Sequence, residues 1–251
     1  MKNQTTFTET INVMQNHSSV RHYKDEPIPA EHFDAIIKAA QGAASSNFVQ
    51  AYTIINVTDA ALKEQIIEHA NNKPQISQCS HFLVFCADFK RLQQAGEMQG
   101  VTIEADNVES LLVTVVDTAL VAQNTITAAE SLGYGGCYIG GIRNNPAAIS
   151  ELLNLPDLVF PLFGLTLGVP AKINDVKPRL PKAAILHENT YNSEEYEDVI
   201  RDYDKTMQEY YSARSSNMKD SNWSKTMAAF LAQKKREHMK EFLENKGFNK
   251  K

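Results

Sequence analysis

Between Asp106 and Leu132 the apolar residues do not gather into one stripe. Val108, Leu112, Val115, Ala119, Leu120 and Ile126, with others between them, spread round the whole circumference of a helix. Such a helix has to be covered, either by the rest of its own fold or by a partner chain. At ~1.5 Å per residue it is roughly 40 Å long if helical throughout, so the remaining elements must be arranged around it. Gly133 is placed to end it.

A glycine-rich run follows at once, Gly133-Tyr134-Gly135-Gly136-Cys137-Tyr138-Ile139-Gly140-Gly141, and leads into Ile142-Arg143-Asn144-Asn145-Pro146. Glycines this dense let the backbone approach something closely, whether another element or a flat ligand. The dinucleotide fingerprint fails here, because Tyr138 stands where its third glycine belongs and the run follows a helix instead of a strand. The phosphate loop fails too: Gly135 and Gly140 have its spacing, but Gly141-Ile142 replaces Lys-Ser/Thr.

Elsewhere the periodicity is plain. Ile11 and Met14, with Phe7 before them, predict a short first helix; Phe33, Ile36, Ile37 and Ala40 predict a second. Residues 51–57 are rich in β-branched types and read as a strand. Thr58 or Asp59 caps the next helix. The unbroken apolar run 82–86 predicts a central strand covered on both faces. Residues 88–105 read as a surface excursion, 137–139 and 162–167 as strands, and Asn145-Pro146 as a helix start. Residues 170–181 form a proline-punctuated loop. Asn192 and Glu195 fit a capping box before a helix with Tyr203 and Met207, and Trp223 to Leu243 marks one final helix ending near Gly247. Strands are few and helices many, which predicts an α+β fold with a sheet under helices, in one domain without repeats or a linker.

The net charge of −5 argues against a general nucleic-acid or anionic-membrane surface. Three cysteines without a CxxC pair predict buried, reduced thiols. The polar N-terminus lacks a signal-peptide core, and no run reaches the ~18 apolar residues of a membrane span, so a cytoplasmic protein is expected. The seven histidines form no metal motif, and no nucleophile elbow is present. Any redox or transfer chemistry therefore falls to a cofactor.

What remains is a set of phosphate-friendly groups far apart in sequence: His17, Ser19 and Arg21; Ser45, Ser46 and Asn47; Lys177 and Arg179. With the glycine run they can converge on one flat, anionic ligand. Five stretches carry a resemblance: His-Ser-Ser-Val-Arg at 17–21, Ala-Ala-Ser-Ser-Asn-Phe at 43–48, the run 133–145, Phe-Pro-Leu-Phe-Gly-Leu-Thr-Leu-Gly at 160–168 and Lys-Pro-Arg-Leu-Pro at 177–181. In this order they resemble the FMN-containing, NADPH-dependent nitroreductase/flavin reductase family, in its larger, oxygen-insensitive branch.

The resemblance implies a nitroreductase-like α+β fold: a central, mostly antiparallel sheet flanked by helices, in an interlocked homodimer with an FMN at each of two interface sites. Residues 1–251 would be a single FMN-binding domain whose helical extension, from about 190, wraps the partner. It implies that His17, Ser19 and Arg179 hold the FMN phosphate, and that Arg21 and Lys177 lie near the pyrimidine edge. Ser45, Ser46 and Asn47 would come from the partner chain, and Tyr138, Ile139, Gly140 and Gly141 would line the flavin ring. Lys73 stands where relatives often carry a flavin-touching glutamine; either Gln75 takes that part or Lys73 contacts the ring. Phe48 and Arg236 would line the substrate face. Arg214 and Lys219 would read the NADPH 2′-phosphate, in a cluster that Met218 and Asp220 dilute. Hydride would pass from the nicotinamide to flavin N5 and then to nitroaromatics, quinones, azo compounds or free flavin, with no metal and no side-chain acid or base. Two alternatives stand beside this: a dedicated reductase supplying reduced flavin to another enzyme, and a non-catalytic flavin-binding sensor dimer.

Overall fold

In a computed structural model of the chain, residues 8–213 and 221–248 are described. The chain divides into two compact units, Met1–Asn174 with Arg236–Lys251, and Asp175–Lys235.

The first unit is built on four strands, β1 (Tyr52–Val57), β2 (His81–Asp88), β3 (Gly135–Ile139) and β4 (Val159–Gly168). They lie side by side in the order β1-β2-β4-β3, and every pairing is antiparallel. The apolar run of β2 sits in the middle of this sheet, with everything from Phe82 to Asp88 buried. Its side chains alternate between two cores, as the strand period of two requires. Phe82, Val84 and Cys86 point to one side, toward Ile66, Ile67 and Ala70 of α3 (Ala60–Ala70). Leu83 and Phe85 point to the other, where α2 (Ala30–Gln41) and the long helix meet the sheet. A short first helix, α1 (Glu9–Gln15), precedes them.

Residues Lys73–Gln78 form α4, which the sequence did not announce, and the supposed excursion 88–105 contains α5 (Lys90–Met98). That helix closes on itself at Gly96, where a Cβ would lie 2.8 Å from Ile103 and from the Val101 carbonyl.

The long helix is α6 (Val108–Ser131), capped by Asn107, whose side chain accepts the Ser110 N–H. It ends as expected: Gly133 takes φ +83°, Tyr134 N–H donates to Ala129 O and Gly133 N–H to Glu130 O, a Schellman closure. By length and composition α6 qualifies as a membrane span. In this fold one face, with Val121, Ala122, Ile126 and Ala129, is packed into the core, together with the polar Thr114, Asp117, Thr118 and Thr125. Val108, Leu112, Val116 and Leu120, four residues apart, form an exposed apolar stripe.

Asn145 caps α7 (Pro146–Leu152) through the Ala148 N–H, with Pro146 at the first helical position. In the second unit α8 (Tyr196–Ala213) and α9 (Trp223–Leu231) are tied together by Asp204, whose Oδ1 accepts the Ser224 N–H at 2.8 Å. The capping box does not form. Asn192 instead accepts the Glu194 N–H in a tight turn, and α8 starts only at Tyr196. The single final helix is also two: α9 stops at Leu231 and α10 (Met239–Asn245) starts afresh, with the charged run 234–237 between them and Arg236 in left-handed conformation.

Candidate active site

The 17–21 loop is strapped to the edge of the sheet. Val20 N–H donates to Gly136 O at 2.9 Å and Lys24 N–H to Val169 O at 2.9 Å. Below it, the buried Tyr23 hydroxyl lies 2.8 Å from Val20 O and 2.7 Å from Thr166 Oγ1. Burial pushes the Tyr23 phenol far above its ordinary range, so it stays a neutral hydrogen-bonding group. Asn174 Nδ2 donates to Ser19 O at 3.0 Å. With the backbone fixed, His17 and Ser19 are half-buried and Arg21 is exposed. His17 Nδ1 lies 2.6 Å from Glu130 Oε1 on the last turn of α6. The Arg21 guanidinium stands beside Cys137, where it opposes the upward push of burial on the thiol.

The glycines serve the protein more than a ligand. A Cβ at Gly135 would lie 2.3 Å from Val20 Cγ2, one at Gly136 2.9 Å from Thr166 O, and one at Gly141 2.1 Å from Ala70 O. Gly140 alone among these is open on its Cβ side, where the nearest atoms are Nη2 of Arg143 at 3.8 Å and Nη2 of Arg236 at 4.0 Å. Arg236 donates to Gly140 O at 2.8 Å and to Asn144 Oδ1 at 3.0 Å. Arg143, which sequence reading passed over, donates to the Leu162 carbonyl, and burial and the neighbouring Arg236 charge both weaken its hold on its proton. Tyr138 is partly exposed and sets its ring edge-on to Phe163, while Ile139 is buried.

Gly141 also touches Asn72, which leads into α4. There Lys73 reaches outward to Glu64 at 3.6 Å. Gln75 keeps its Oε1 buried with no hydrogen-bond partner. A buried acceptor without a donor is rare enough to call for a missing one.

Ser45 leads into a 3-10 turn, Ser46–Phe48, with Asn47, Phe48 and Gln50 all at positive φ and Phe48 80% exposed. The buried carboxylate of Asp117 accepts the N–H of Ser46 at 2.9 Å and of Ala51 at 3.0 Å. Sequence reading missed Asp117, although one acid amid the apolar stretch 115–122 was the signal.

Lys177 and Arg179 belong to the second unit. Lys177 Nζ lies 5.4 Å over the Tyr211 ring, and the Tyr203 hydroxyl donates to Pro178 O at 2.8 Å between the two cations. Arg214 and Lys219 lie outside the described residues. Among the described residues no group of three His, Cys, Asp or Glu side chains is placed to hold a metal. Burial pushes all three thiols up, Cys79 to about 11, so none is a ready nucleophile. Among the described residues, these loops offer donors, cations, one waiting acceptor and the His17–Glu130 pair.

A model of the nitroreductase family matches residues 14–169, and a model of that family's C-terminal domain matches 177–251. A protein named CR(VI) reductase from Pseudomonas sp. (strain G-1) is 56% identical, over 94% of this chain and 98% of its own. An FMN reductase (NADPH) from Bacillus subtilis is 44% identical, over 97% and 100%. Among solved structures, the NfrA1 nitroreductase of B. subtilis superposes with a TM-score of 0.92 at 43% identity, over 96% of this chain and 100% of its own. The NADPH:FMN oxidoreductase of Vibrio harveyi, complexed with NAD+, gives 0.88 at 38% identity, over 97% and 100%.

Proposed function

The chain belongs to the nitroreductase family, and from that premise we propose that it is an FMN-containing oxidoreductase that takes electron pairs from NADPH and passes them to small-molecule oxidants. The observation that carries the reading is the close packing of the turn Gly140–Asn144, which follows β3, on the end of α3 and on Asn72, the residue before α4. Gly140 has open space bordered by Arg143 and Arg236, and in the helix that follows Asn72 the Oε1 of Gln75 is buried and unpartnered. That combination suits a planar ring with its own N–H donor, and FMN has both.

FMN supplies the hydride-accepting and hydride-donating centre that no side chain here provides. The chain's own residues hold and charge-balance it. His17, Ser19 and Arg179 take the phosphate. Arg21 and Lys177 would supply the positive charge that stabilises a reduced, anionic flavin. Of Lys73 and Gln75, the one at the ring edge would be Gln75, whose Oε1 is buried without a donor, since Lys73 is turned out to Glu64; Tyr138, Ile139, Gly140 and Gly141 would form the wall beside it. Ser45, Ser46 and Asn47 come from a second copy of the chain, and Phe48 with Arg236 lines the substrate side. Arg214 and Lys219 select NADPH by its 2′-phosphate. Reductant and acceptor use one face in turn, which makes the kinetics ping-pong.

The protein is a homodimer in this reading. The exposed stripe Val108, Leu112, Val116 and Leu120 supplies an apolar contact face, and the extension from about residue 190 would wrap the partner. Its place is the cytoplasm. The acceptors are nitroaromatics, quinones, azo compounds and free flavin. Anaerobic NADPH added to the purified yellow protein should bleach the flavin without a persistent semiquinone. A protein that neither carries FMN nor takes it up overturns the proposal; one that carries FMN but does not bleach is a binder, not a reductase.

A further inference from the structure

Asp117 is fully buried midway along α6, among the buried α6 residues Thr114, Thr118 and Val121. A buried carboxylate survives only with donors at both oxygens. It has two, both main-chain: Ser46 N–H on Oδ1 and Ala51 N–H on Oδ2. These amides bracket a segment in which Asn47, Phe48 and Gln50 take φ of 45°, 62° and 52°. Left-handed backbone at three non-glycine residues persists only where the surroundings over-determine it. Arg91 adds the opposite grip, its Nη1 donating to Gln50 O at 3.1 Å and Tyr52 O at 3.2 Å.

We propose that Asp117 is a positioning residue for the flavin site. Its two oxygens hold the Ser45–Phe48 turn in the strained form that presents Ser45, Ser46 and Asn47 to the flavin and stands Phe48 out from the surface. A link between α2 and β1 that served packing alone would relax out of this conformation, so the strain has another use. An amide cannot replace the carboxylate: it offers one acceptor and sets its own N–H against a main-chain N–H. The inference rests on the flavin reading above.

The test compares Asp117→Asn with Thr118→Val, which removes the neighbouring buried hydroxyl that donates to Thr114 O at 2.7 Å. FMN release from the holoenzyme on dilution is followed by flavin fluorescence, with thermal unfolding measured alongside. Asp117→Asn should hold FMN roughly tenfold more weakly, ~1.4 kcal/mol, while Thr118→Val keeps wild-type affinity even where it melts earlier. Equal FMN affinity in Asp117→Asn and wild type, or a loss shared by both variants in step with melting, overturns the inference. Should Asp117→Asn fail to fold, amide exchange in the wild-type holoenzyme decides. Protection at Ser46 and Ala51 supports the clamp, and exchange at the rate of an unstructured peptide overturns it. A wild type that neither carries FMN nor takes it up fails the flavin reading itself, which is a separate outcome.

Discussion

Gly141 and Ala70 are in contact at backbone level: a Cβ on Gly141 would stand 2.1 Å from the Ala70 carbonyl oxygen and 2.3 Å from Asn72 Oδ1. Neither the end of α3 nor its carbonyl can swing away without breaking the left-handed turn at Asn71. Gly141→Ala should therefore destabilise the fold by about 1–3 kcal/mol, as overpacking does. Gly140, one residue earlier, has open space on that side, so Gly140→Ala should fold normally and instead weaken FMN retention. Thermal melts paired with flavin release separate the two; a Gly141→Ala protein as stable as wild type would refute the packing account.

That contrast also shows what sequence reading reached and where it stopped. The strands were legible because β2 is an unbroken apolar run and β1 is β-branched, and the end of α6 because Gly133 has one natural use there. The glycine run was recognised as a close-approach surface, but a glycine records only that something is near. Val20, Thr166 and Ala70, the neighbours that claim Gly135, Gly136 and Gly141, are 30 to 115 residues distant and leave no local mark. Asp117 escaped for the same reason, its partners being main-chain amides without side-chain identity. The break between α9 and α10 depends on a left-handed Arg236, a residue type with no preference for it.

Tyr23 joins the 17–21 loop, proposed to take the FMN phosphate, to β4 through its hydroxyl. Tyr23→Phe keeps the ring and leaves Val20 O and Thr166 Oγ1 short of a partner, at a cost of about 1–3 kcal/mol. Because Val20 lies between Ser19 and Arg21, FMN affinity should fall along with the melting temperature. A melt unchanged from wild type would show that the hydroxyl holds nothing.

Alkaline pH should unfold the protein through the same buried groups. Cys79 is raised from 9.0 to about 11 and Tyr23 also lies above its ordinary 10.0, both by burial. The folded state thus keeps protons that the unfolded chain gives up, so stability holds below about pH 9 and falls above it. Each group contributes at most ~1.4 kcal/mol per pH unit between its two pKa values. On the acid side burial lowers His81, stacked 3.9 Å from Phe33, so its share of stability is lost as pH drops below about 6.5. Melting curves from pH 5 to 11 should show both edges, and Cys79→Ala should flatten the slope between 9 and 11.

Arg236 donates to Gly140 O and Asn144 Oδ1 from a left-handed backbone, and so holds a cation beside Gly140, where the proposed function puts the substrate. On the proposed placement of Arg236, Arg236→Ala should raise the KM for anionic or nitro acceptors several-fold and disturb the NADPH half-reaction less, because NADPH keeps the separate hold that Arg214 and Lys219 would give its 2′-phosphate. The expected split is read by comparing anaerobic bleaching by NADPH with steady-state turnover on a nitroaromatic. The reverse holds for Arg214→Ala, which should raise the KM for NADPH far more than for NADH, because only NADPH carries the extra phosphate. Equal effects on the two reductants would remove Arg214 from that role, and a slowed NADPH step in Arg236→Ala would place Arg236 on the reductant instead.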